Sequence, residues 1–174
     1  MTHRWLERIA REGLDSWPVA RVREQGSAIR SALEGLGLAE GEVLSAVAVV
    51  EEALTRTLAD ERGRWLLQPH TESAVELRVS IFDDGAIHHC SIDRSFVDEH
   101  GTRWIVDYKT GSHEGAGVAQ FLDREQERYS ARMNRYARYF RATEDRPIRL
   151  GLYYPLLGGW REWKIKASAA RAAE

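Results

Sequence analysis

Two aspartates and a lysine in the middle of the chain have the residue types of a metal site that acts on phosphate esters. Asp107 and Lys109 form an Asp-x-Lys tripeptide, and Asp93 precedes them. Carboxylate oxygens are hard ligands, and Mg²⁺ is usually held by one or two of them with room left for a substrate phosphate. A lysine beside such a site can contact a metal-bound water or the charge that develops on phosphorus. The alternative is a Lys-Asp salt bridge on an exposed strand, because a tripeptide alone is a weak signal.

The strands predicted around the turn at residues 98–102 bring the two aspartates together. If Val97 pairs with Arg103, the same register places Asp93 opposite Asp107, with Cβ atoms about 4.5 to 5.5 Å apart. Two like charges so close destabilise a sheet unless a cation joins them, and a divalent ion would do so. Alternation assigns the opposite face, which we expect to be the core, to Cys90, Ile92, Phe96, Trp104, Val106 and Tyr108.

Two further side chains are candidates for the same site. His3 lies on a helix predicted from the start of the chain, and a neutral imidazole can complete a metal's ligand set. Glu76 lies on the polar face of the strand predicted over residues 75–81. Each also has a simpler interpretation, because a lone terminal histidine and a solvated strand glutamate are both common. Mn²⁺ is an alternative to Mg²⁺ because it accepts the same ligand types.

The helix predicted over residues 121–143 carries arginines interleaved with tyrosines. Guanidinium groups contact phosphates and aromatic rings stack on bases, so this face is a candidate track for single-stranded DNA. A solvated helix face is the alternative. The candidate contacts are Arg128, Tyr129, Arg132, Arg135 and Tyr136.

Hydrophobic periodicity predicts a single α/β (α+β) domain over residues 1–174. Residues 1–62 are predicted to be mainly helical, with three helices, and residues 63–166 to form a sheet-bearing core. Its strands are expected at 75–81, 86–97, 103–109, 147–154 and 160–165, the first three forming an antiparallel meander. A flexible stretch is expected at 111–117 and a flexible tail at 167–174.

Composition excludes several classes of protein. The chain has 174 residues, a formal charge of −2 and one cysteine, so a disulfide scaffold is excluded. No apolar run approaches the roughly 18 residues that a membrane span needs, and no phosphate-loop motif is present. The N-terminus lacks an apolar signal segment, which favours a cytoplasmic location without membrane contact.

The order of these motifs resembles one known family. The segments Ser91-Ile92-Asp93-Arg94 and Trp104-Ile105-Val106-Asp107-Tyr108-Lys109-Thr110 are followed by a helix with Tyr129 and Tyr136. They resemble the PD-(D/E)XK nuclease domain at the C-terminus of RecB/AddA-type exonucleases, which are helicase-nucleases of the UvrD/Rep superfamily. Segments 61–67 and 154–160 also resemble AddA-like members.

The resemblance implies a restriction-endonuclease-like fold, in which a mixed sheet is flanked by helices and preceded by a helical part. It implies that Asp93, Asp107 and His3 are metal ligands and that Lys109 is the catalytic lysine. Tyr136 matches the tyrosine of the family's Q-x-x-x-Y motif, whereas Arg132 stands at the glutamine position.

The function implied is an Mg²⁺-dependent DNA exonuclease in double-strand break repair. The implied partners are DNA, a UvrD-like helicase portion and an AddB-like or RecC-like subunit. Two alternatives stay open. One is a catalytically weak or inactive nuclease-like module that binds DNA or docks a helicase, and the other is a junction-specific or restriction-type nuclease that acts alone as a dimer.

Overall fold

The structure, a computed structural model, describes residues 1–83, 85–111, 113 and 117–165. Within them a five-stranded sheet is covered by helices. The helices are α1 (Thr2–Glu12), a 3₁₀ helix (Leu14–Ser16), α2 (Val19–Glu24), α3 (Gly26–Glu34), α4 (Glu40–Ala59), α5 (Glu61–Leu67) and α6 (Val118–Arg141). The strands are β1 (Thr71–Asp83), β2 (Ala86–Val97), β3 (Arg103–Tyr108), β4 (Ile148–Tyr154) and β5 (Gly159–Lys164).

The sheet is mixed and its spatial order follows the chain, β1-β2-β3-β4-β5. The first three strands form the predicted antiparallel meander, and Val97 pairs with Arg103 as expected. β4 runs parallel to β3, so the intervening helix α6 serves as the crossover, and β5 is antiparallel to β4. The prediction of a mixed sheet flanked by helices is therefore confirmed.

Both faces of the sheet are buried, whereas the sequence predicted one core face. On one side α1 to α5 cover a cluster that includes Trp104, Val106 and Tyr108. On the other side α6 covers Ile105, Leu150 and Leu152, all fully buried. A parallel pair with a helical crossover needs cover on both faces, which explains the second cluster.

The hairpin formed by β1 and β2 rotates where β2 separates from β3. The pairing of β2 with β3 runs from Val97 to Arg94, and beyond it Ile92 packs into the α6-side cluster. Glu76, on the neighbouring strand, has a φ of +50°. The prediction that Cys90 and Ile92 share a face with Phe96 is therefore wrong, because regular alternation fails at this point.

The helical part is longer and more divided than predicted. Four α-helices and a 3₁₀ helix precede residue 61, and α5 extends the helical part to Leu67. The carboxylate of Asp60 caps α5 by accepting the N–H of Gly63 at 2.9 Å. β1 begins at Thr71, before the alternating pattern starts.

Other predictions fall wholly or partly outside the described residues. They are the tail at 167–174 and most of the stretch at 111–117. Among the residues that are described, no helix has both the length and the apolarity needed to cross a membrane.

Candidate metal centre

Three potential ligands meet where β2 separates from β3. One donor atom each from His3, Glu76 and Asp93 lies within 4.8 Å of the other two. His3 is in the first turn of α1, which is fixed against the sheet by the buried side chains of Leu6 and Ile9. Its Nδ1 lies 3.7 Å from Oδ2 of Asp93. Two carboxylates and one imidazole thus face a common point.

Hydrogen bonds hold both carboxylates of this cluster in place. The backbone N–H of Tyr108 donates to Oδ2 of Asp93 at 2.8 Å. The hydroxyl of Ser91 donates to Oε2 of Glu76 at 2.9 Å. Each bond engages one oxygen of its carboxylate, which leaves the other oxygen available to a ligand.

Asp107 and Lys109 lie at the end of β3, next to the cluster. Asp107 is 2% exposed, and Nζ of Lys109 lies 2.5 Å from its Oδ2. The same ammonium group lies 3.7 Å from the centroid of the Tyr129 ring. Nη2 of the Arg132 guanidinium group lies 3.7 Å from the other carboxylate oxygen, Oδ1. Asp107 is therefore held between two cations rather than within the closest ligand group.

The electrostatics of the cluster favour a bound cation. Burial, together with the nearby charge of Asp107, raises the pKa of Asp93 to about 7. Burial also lowers the pKa of His3 from its ordinary value, although the Asp107 carboxylate acts in the opposite direction. A histidine with a lowered pKa is neutral near pH 7, and the neutral imidazole is the form that binds metals.

Two of the predicted DNA contacts on α6 are turned inward. Tyr136 is 2% exposed, and its hydroxyl accepts a hydrogen bond of 2.5 Å from Nε of Arg132. A ring so buried has no face free to stack on a base, so the predicted stacking role of Tyr136 is wrong. Tyr129 is half-buried beneath the Lys109 ammonium group. Both rings instead support the cations next to Asp107.

The remaining arginines of the predicted track are paired with carboxylates. Arg128 lies 3.3 Å from Glu125 on its own helix. Arg135 lies 3.1 Å from the buried carboxylate of Asp83, which Arg138 also contacts. One carboxylate from β1, which the helix sequence does not reveal, thus engages two arginines of this helix face.

Glu76 has a more central position in the site than the sequence predicted. The sequence treats it as an accessory, yet the structure groups it with His3 and Asp93. The position of Glu76 could have been predicted from the turn after Asp83. The pairing of Asp83 with Ala86 fixes a register in which Glu76 is level with Asp93. The contribution of Ser91 has no comparable signal, because it depends on side-chain direction.

Comparison of the sequence with models of known protein families gave no match, and comparison with curated proteins gave no significant match.

Proposed function

We propose that the chain is a metal-dependent nuclease that hydrolyses phosphodiester bonds of DNA. The observation that supports this most directly is the convergence of His3, Glu76 and Asp93 beside a buried Asp107–Lys109 pair. A group of acidic ligands next to a fixed lysine suits a reaction in which a phosphate must be bound, neutralised and attacked.

The donor set fits a divalent ion. Two carboxylates and one imidazole converge, and the raised pKa of Asp93 indicates negative charge that is poorly compensated without a cation. His3, Glu76 and Asp93 would hold Mg²⁺, or Mn²⁺ in its place, with Asp107 adjacent. When bound, such an ion lowers the pKa of a coordinated water and neutralises phosphate charge.

The chain's own residues supply orientation and positive charge. Lys109 is held by Asp107 on one side and by the Tyr129 ring on the other, so its ammonium group is fixed near the ligand cluster. It can donate hydrogen bonds to a phosphate oxygen or to the attacking water. Arg132 is half-exposed and can contact a strand that enters along α6.

A second function is favoured by the pairing of Asp107. Both of its oxygens already face a cation, Lys109 on one and Arg132 on the other. A site closed in this way suits a module that binds DNA or docks a helicase without cleaving. The helicase portion, the AddB-like or RecC-like subunit and the role in break repair stay predictions from the resemblance.

Cleavage of end-labelled single-stranded DNA with Mg²⁺ or with EDTA tests the proposal. We expect metal-dependent cleavage that is lost in Asp93→Ala and in Lys109→Ala. The matched controls are Asp145→Ala and Lys164→Ala, both at exposed positions away from the site. No cleavage by the folded wild-type protein, or equal cleavage by all variants, would contradict the nuclease assignment.

A further inference from the structure

The hairpin of β1 and β2 has an outer face that neither apolar cluster covers. Val79, Ile81 and Cys90 point to the α6-side cluster. Because side chains alternate along a strand, the residues between them point the opposite way. The cross-strand pairs on this outer face are Arg78 with Ser91, Ser80 with His89, and Phe82 with Ile87.

A shallow groove runs along the part of the hairpin nearest the candidate metal centre. It has a volume of about 330 Å³ and is lined by Arg78, Val79, Ser80, His89, Cys90 and Ser91. Ser80 and His89 are joined through Oγ and Nδ1 at 2.9 Å. Arg78 is exposed and has no carboxylate within salt-bridge distance among the residues that the structure describes. Its guanidinium group is therefore available to an anion.

Two large apolar side chains lie at the far end of the same face. Phe82 is 73% exposed and Ile87, directly opposite, is 65% exposed. Both expose more of their surface than most large apolar residues, and an aromatic ring with a free face is the element that stacks on an unpaired base.

The outer face is continuous with the candidate metal centre. Ser91, which lines the groove, donates its hydroxyl hydrogen bond to Glu76, one of the three potential ligands. Phe82 follows Glu76 by six positions, which corresponds to about 20 Å along a strand. Arg78, Ser80 and Phe82 thus follow Glu76 at alternate positions along the same face of β1.

We propose that this outer face binds a single-stranded nucleic acid, with a phosphate on Arg78 and a base stacked on Phe82. The inference rests on the proposed nuclease function, because it assigns the path by which a strand reaches that site. A single strand fits better than a duplex, since the bases of a duplex are already stacked on one another. The arginines of α6 fit this role less well, because Arg135 and Arg138 are bound to Asp83.

Binding without metal separates this inference from catalysis. The probe is a fluorescein-labelled oligothymidylate, titrated in EDTA and followed by anisotropy at several salt concentrations. Phe82→Ala should weaken binding by about 5- to 150-fold, which is the usual range for one stacked base. Arg78→Ala should reduce the slope of log affinity against log salt by about 0.7, the value for one phosphate contact. Phe82→Tyr, which keeps the ring, should bind like the wild type.

Two exposed residues away from the hairpin provide matched controls. Leu44→Ala removes an exposed apolar side chain on α4, and Arg30→Ala removes an exposed arginine on α3. Neither should change affinity or salt slope. Because Phe82 and Arg78 are exposed, all these variants should keep the wild-type melting temperature.

The outcomes distinguish the inference from the proposed function. Hairpin-dependent binding in EDTA supports the strand path even if no cleavage is ever observed. Metal-dependent cleavage with unchanged binding in Arg78→Ala and Phe82→Ala overturns the path and leaves the nuclease assignment standing. Equal loss of affinity in the control variants, or no binding by the wild type, also overturns it. If the outer face instead docks another protein, the wild type should not bind the oligothymidylate.

Discussion

Asp93→Asn should make the metal-free protein more stable at alkaline pH while removing a metal ligand. The Asp93 side chain is 10% exposed, and its pKa is raised from 3.8 to about 7. At pH 8 the unfolded chain ionises freely, whereas the folded chain carries a buried charge beside Asp107. A shift of about 3 pKa units corresponds to a cost of about 4 kcal/mol. An asparagine avoids this cost and can still accept the hydrogen bond from Tyr108.

The sign of the pH dependence follows from the direction of the shift. The folded-state pKa of Asp93 lies above the unfolded value, so the group disfavours folding least below pH 3.8 and most above about pH 7. The advantage of Asp93→Asn should therefore fall from about 4 kcal/mol at pH 8 to about 2 kcal/mol at pH 5.

Urea denaturation in EDTA at both pH values measures this difference. Asp145→Asn, at an exposed position, is the matched control and should leave the free energy of unfolding unchanged at either pH. If Asp93→Asn is no more stable than the wild type at pH 8, the buried charge is already compensated and the electrostatic argument for a cation fails. Addition of Mn²⁺ should raise the melting temperature of the wild type but not that of the variant.

Three further predictions concern the lysine, an arginine and the sheet. Lys109→Met should lower the cleavage rate about 100- to 1,000-fold and change Mn²⁺ affinity, measured by calorimetry, less than tenfold, because the lysine is not a ligand. Arg132→Gln removes a half-exposed cation near the ligands, so Mn²⁺ should bind more tightly by no more than about 1 kcal/mol, whereas weaker binding would assign the arginine a supporting role. In β4, Gly151→Ala places a Cβ 2.1 Å from the Trp160 ring and should destabilise the protein by about 1 to 3 kcal/mol. Gly41→Ala, which meets no atom within 4 Å, should leave the melting temperature equal or higher.

The parts of the fold that the sequence predicted depend on local signals. The turn after Val97 fixes the pairing of β2 with β3, and the apolar spacing from Leu122 to Phe140 identifies the long helix α6. Each of these signals lies within one continuous segment of the sequence. Alternation and helical periodicity therefore predicted the order of the elements along the chain and the antiparallel meander of the first three strands.

The parts that were missed depend on residues that meet only in the folded chain. A regular alternating pattern does not predict that β2 rotates at Asp93. This rotation turns Ile92 toward α6. The arginines of α6 looked unpaired because the carboxylate that binds two of them, Asp83, comes from β1. Glu76 belongs to the ligand group because the pairing of β1 with β2 places it level with Asp93, and α1 brings His3 to the same point.

The contact of Asp83 with two arginines of α6 joins two elements that flank the candidate site. Arg135 and Arg138 both contact this buried carboxylate at the end of β1, so ion pairs join the tip of the hairpin to α6. Ion pairs with exposed partners weaken as salt is added, because the ions of the solution screen them. Arg138 is the more exposed partner, so its contact with Asp83 should weaken before that of Arg135 as salt is added, and Arg135 then keeps the hairpin joined to α6.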